Sequence, residues 1–65
     1  MNLDDIIDIY AIEVEYGNHF AEARSPYMSG VVEYGSDTYQ ALCTMVAMIQ
    51  VTEEIIGKKL YNISR

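Results

Sequence analysis

Two side chains in this 65-residue sequence could serve as nucleophile or base, and each occurs once: Cys43 and His19. Nucleophilic catalysis needs a nucleophile within hydrogen-bond reach of a positioned base. His19 falls on an expected second strand and Cys43 one turn into an expected helix. They meet only if that face of the helix meets that strand. Cys43 reads better as a small packing residue, and His19 as a side chain at a hairpin end. One cysteine excludes an intrachain disulfide, and one cysteine with one histidine excludes a Cys₂His₂-type zinc site within a single chain. Gly17, Gly30, Gly35 and Gly57 are dispersed, and none leads into the Lys-Ser/Thr of a phosphate-binding loop. The expectation is a protein that is not an enzyme and carries neither cofactor nor metal.

The carboxylates are the other chemistry. The formal net charge is −6, and it is unevenly placed. Residues 1–37 carry eight acids against Arg24 alone, a balance of −7, whereas residues 38–65 carry Glu53 and Glu54 against Lys58, Lys59 and Arg65, a balance of +1. Glu13, Glu15, Glu22 and Glu33 could share the solvent face of a sheet, with Arg24 among them. Such a face has three readings. It can simply keep an apolar little protein soluble. It can hold Mg²⁺ or Ca²⁺, although no EF-hand-like spacing is present. It can dock on the basic site of another protein, with complementary charge speeding association. Tyr16, Tyr34, Tyr27 and Phe20 near that face would then be aromatic anchors, or otherwise amphipathic caps of the core.

The elements that must position these groups follow from periodicity. Residues 10–16 alternate apolar and polar, the pattern of a half-buried strand. Leu3, Ile6, Ile7, Tyr10 and Val14 also fall at helical spacing, with Asn2 as a cap and Asp4 and Asp5 in the first turn. A short N-terminal turn or helix feeding a strand from about Ile9 accommodates both. Gly17-Asn18 suits a two-residue hairpin turn, residues 19–25 a returning strand ended by Pro26, and residues 30–34 a third strand ended by Gly35. Ser36-Asp37-Thr38 signals a helix start, and residues 37–58 read as one long helix whose end Gly57 begins. Leu42, Met45, Val46, Ile49, Ile56 and Leu60 form its main face, widened by Ala41, Met48, Val51 and Ile55. Tyr61 and Ile63 could add a short final strand.

The fold class expected is α+β: a small antiparallel hairpin or three-stranded sheet followed by one long α-helix, in a single domain spanning residues 1–65. A chain this short buries only about 60% of its extended surface, so excellent packing or self-association must stabilise it. The apolar stripe covers about half the helix, more than the roughly 100° that one small sheet needs. The expectation is therefore a homodimer packed through Met45, Met48, Ile49, Val51 and Ile55.

The segment from Pro26 to Leu42 resembles the HicB-like antitoxin fold. There a Pro-Asp-Leu-Pro-Gly stretch leads through a short strand and a Gly-Asp-Ser/Thr turn into a helix opening Glu-Ala-Leu. Here Pro26-Tyr27-Met28-Ser29-Gly30 precedes Val31 to Tyr34, then Gly35-Ser36-Asp37, then Gln40-Ala41-Leu42, without gaps. Tyr27, Ser29 and Gln40 depart from the motif, and the family's DNA-binding part has no counterpart. The resemblance implies the hairpin, strand and helix order, and an antitoxin domain that neutralises a toxin.

Acidity disfavours nucleic acid and anionic membrane surfaces as partners. Asp4, Asp5 and Asp8 interrupt anything like a secretory signal, and a free thiol suits a reducing cytoplasm, bacterial or phage-infected. The function expected is a non-catalytic protein that binds and inhibits a larger partner with a basic surface, as phage-type anti-defence inhibitors do. The alternatives are the antitoxin domain and a module sequestering a small molecule such as a nucleotide between subunits.

Overall fold

The computed structural model of the chain describes residues 2–63. Helix α1 spans Leu3–Tyr10. The Asn2 side chain accepts the Asp5 N–H at 2.9 Å, and Asp4 and Asp5 lie in the first turn, where the positive end of the helix dipole favours them. The helix closes through a Schellman pattern: the Ile12 N–H reaches the Ile7 carbonyl at 3.0 Å and the Ala11 N–H the Asp8 carbonyl at 3.3 Å. Ala11 therefore sits in the left-handed region at φ 50°, a place glycine usually takes. This closure corrects the expected strand from Ile9. Tyr10 does face the core, but from a helix, and β1 begins only at Glu13.

Strands β1 (Glu13–Tyr16), β2 (Ala21–Arg24) and β3 (Glu33–Gly35) form an antiparallel sheet in the order β1-β2-β3. The β1–β2 connection closes with the Gly17 N–H on the Phe20 carbonyl at 2.8 Å. Its tip is Asn18-His19, one residue later than expected, so His19 lies in the turn and β2 starts at Ala21. A 3₁₀ turn follows at Pro26–Met28, with the Ser25 side chain accepting the Tyr27 N–H. The Val31 N–H then folds back on the Met28 carbonyl at 3.0 Å. This turn consumes Gly30 and Val31, which is why β3 is shorter and later than residues 30–34.

Helix α2 spans Thr38–Ile56. The Asp37 carboxylate accepts the Gln40 N–H at 2.7 Å, and the Gln40 side chain in return accepts the Ser36 N–H at 2.6 Å. Gly57, at φ 72°, ends the helix by donating its N–H to the Glu53 carbonyl. Among the described residues a 3₁₀ turn, Leu60–Asn62, follows α2 where a final strand was expected at Tyr61 and Ile63.

One layer of helix covers one face of the sheet. Ala21 and Ala23 of β2 are fully buried, as are Ala41 and Met45 of α2. These small side chains let the two elements approach closely, and Gly35 sets the limit. A Cβ there would lie 2.9 Å from the Ala41 Cα. Leu42 and Ile49 complete the covered stripe of α2, joined by Tyr10, Ile12, Met28 and Leu60 from the flanks. Ile56, expected on the main face, is exposed at the last position of α2.

Candidate binding surfaces

The register decides which side chains share the open side of the sheet. Glu13 pairs with Arg24, Glu15 with Glu22, and Glu22 in turn with Tyr34. Alternation along each strand places all five on the face turned away from α2. Glu15 directly opposite Glu22 is a like-charge pair, unfavourable by itself. Arg24 relieves it: its guanidinium contacts the Glu22 carboxylate and reaches Glu15 Oε2 at 3.7 Å. Beside this cluster Phe20 and Tyr34 pack edge to face, with centroids 5.5 Å apart, and both rings remain largely exposed. The outer face is thus three carboxylates, one guanidinium shared between two of them, and a paired aromatic patch.

Glu33 is corrected. It pairs with Ala23, on the helix side of the sheet, and is half-buried. The reason is Gly35: it must face α2, and Glu33, two residues earlier, points the same way. Tyr16 also holds a helix-side position, opposite Ala21, but at the sheet's end, where it is 57% exposed. Tyr27 is no anchor of the acidic face, since its ring packs against Tyr10 at 5.8 Å.

On α2 the residues expected to meet a second copy divide. Met45 and Ile49 are 0% and 1% exposed and belong to the chain's own core. Met48, Val51 and Ile55 stay open at 37%, 50% and 79%.

Cys43 is exposed on α2 beside Tyr39, and the neighbouring thiol raises the Tyr39 hydroxyl above its ordinary pKa. His19 is at the hairpin tip. Among the described residues, no hydrogen bond joins Cys43 to His19. Among the described residues, no group of three His, Cys, Asp or Glu side chains is arranged to hold a metal ion. An open groove of about 530 Å³ runs between the ends of β1 and β2 and the segment after Pro26, with Glu13, Arg24, Met28 and Val31 in its lining. One shared guanidinium beside a carboxylate is a poor grip for a phosphate.

The polar group that sequence reasoning missed is Glu53. It is buried at the end of the core stripe, where its carboxylate accepts the Tyr10 hydroxyl and the Leu60 N–H (2.8 Å), with Lys59 Nζ 3.7 Å away. Burial first, then this hydrogen bond to a carboxylate, raises the Tyr10 pKa well above the usual phenol range. Its signal was the spacing Leu42, Met45, Ile49, Glu53, which keeps an acid on the covered face.

Among the described residues no helix is long and apolar enough to cross a membrane. In comparisons with known proteins, no family, no curated protein and no solved structure matches this chain.

Proposed function

We propose that this protein is a non-catalytic inhibitor that docks the outer face of its sheet on a basic surface of a larger protein and blocks that surface. The observation that supports the reading is the pairing of Glu15 with Glu22 beside Glu13, next to the exposed Phe20–Tyr34 pair. A fold with no stake in that face would gain by separating like charges. Instead, two strands hold them in register, and Arg24 is shared between two of the acids. Carboxylates around an aromatic patch are complementary to a lysine- or arginine-lined site. The charges set association rate and orientation, and the rings supply buried area.

The test is affinity capture from the native cell lysate, followed by binding measurements with the purified captured protein. The expected result is one stoichiometric partner, weakened by salt and lost in the combined variant Glu13→Lys, Glu15→Lys, Glu22→Lys. Because these three side chains lie on the open face, the variant keeps its helical circular dichroism. Undiminished binding by that folded variant overturns the reading.

A further inference from the structure

The described fold leaves one face of α2 without a cover. The end of helix α1 meets one flank, where Tyr10 bonds Glu53, and Gly35 of β3 packs under Ala41. On the other flank Thr44, Met48, Val51 and Ile55 follow at steps of four, three and four residues. That spacing makes a straight seam along a helix, the geometry of a pair crossing at about 20°. Exposure rises along it, from half-buried Thr44 to Ile55 at 79%. An isolated exposed isoleucine is ordinary, but a seam of heptad spacing is not.

We propose that the occupant of this seam is a second copy of the same chain, packed antiparallel across a two-fold axis between Met48 and Val51. Antiparallel packing sets Met48 against the partner's Val51, and Thr44 against the partner's Ile55, so the seam is complementary to itself. Charge selects the direction. Asp37 begins the helix and Lys58 follows its end. Antiparallel pairing brings Asp37, the cap of each helix, toward Lys58 just past the end of the other and opposes the helix dipoles. Parallel pairing would set Lys58 against Lys58, Glu54 against Glu54, and align the dipoles. The seam and the acidic sheet face lie on different sides of the molecule, so the dimer presents two acidic faces outward. The pairing does not depend on the docking reading above.

Sedimentation equilibrium over the micromolar range tests the pairing. The expected mass rises with concentration to twice the 7.4 kDa of the chain. Ile55→Glu, at a position that touches little of the chain's own core, is expected to hold the single-chain mass with unchanged circular dichroism. Direction is read from disulfide trapping in a Cys43→Ser background, mixing Thr44→Cys chains with Ile55→Cys chains under mild oxidation. Cross-linking of the mixed pair alone supports the antiparallel dimer. Each variant cross-linking with itself overturns the direction. A single-chain mass throughout, a folded Ile55→Glu dimer, or no cross-link in any mixture overturns the proposal, even if another protein is found to bind the seam.

Discussion

The Tyr10 hydroxyl donates to the Glu53 carboxylate across 43 positions of sequence, and this bond ties the end of α1 to the last turns of α2. The same carboxylate accepts the Leu60 N–H, so one side chain fastens three segments. In so small a core, a buried acid is tolerable because Oε2 accepts both hydrogen bonds and Oε1 faces Lys59 Nζ at 3.7 Å.

Glu53→Ala removes the acceptor for two buried donors. The expected loss is about 2–6 kcal/mol, read as a lower urea midpoint, since each of the two orphaned donors costs about 1–3 kcal/mol. Glu53→Gln keeps an acceptor and loses less. Equal midpoints for Glu53→Ala and the native chain would remove Glu53 from this role.

The raised Tyr10 pKa has a definite sign in the pH dependence of stability. The folded state holds the phenolic proton more tightly than the unfolded chain, whose ordinary value is 10.0. The resulting stabilisation is therefore complete below pH 10 and lost as pH rises above it. Tyr10→Phe is expected to lose about 1–2 kcal/mol at neutral pH and to show a shallower alkaline decline. Thermal melts from pH 7 upward measure both, and parallel declines in the two proteins would contradict the assignment.

Gly35→Ala and Gly57→Ala separate two uses of glycine. At Gly35 the new methyl meets the Ala41 backbone, so β3 and α2 must move apart, at a cost of about 2–3 kcal/mol. At Gly57 the space is open, and only the left-handed backbone opposes the change, by about 1 kcal/mol. Differential scanning calorimetry should rank Gly35→Ala as the more damaging.

Ala11 offers the reverse case. It holds φ 50° where glycine carries no Cβ penalty, so Ala11→Gly is expected to stabilise the fold by about 0.5–1 kcal/mol. A lowered melting temperature would show that the alanine methyl contributes more than the strain removes.

Arg24→Ala should move stability and binding in opposite directions. Losing a shared, half-exposed guanidinium exposes Glu15 to Glu22 and lowers stability by less than about 1 kcal/mol. The more negative face should associate faster with the basic partner at low salt, and stopped-flow rates at two ionic strengths check this. A slower association would mean that Arg24 itself contacts the partner.

Much of this architecture was legible in the residues because the signals are local. Asn2 and Asp37 cap helices by bonding to N–H groups three residues on, and Gly57 ends α2 through its own backbone freedom. The acidic first half and the long amphipathic helix likewise need no knowledge of distant contacts. What only the tertiary structure decided was sidedness. Glu33 turned toward α2 because Gly35 had to accept the helix backbone, a constraint set by Ala41. Met45 and Ile49 joined the chain's own core, and Glu53 became an internal fastener because Tyr10 and Leu60 converge on it. Caps and periodicity act within a turn or two of chain, whereas the choice between two faces of a strand or helix belongs to whichever distant surface packs against it.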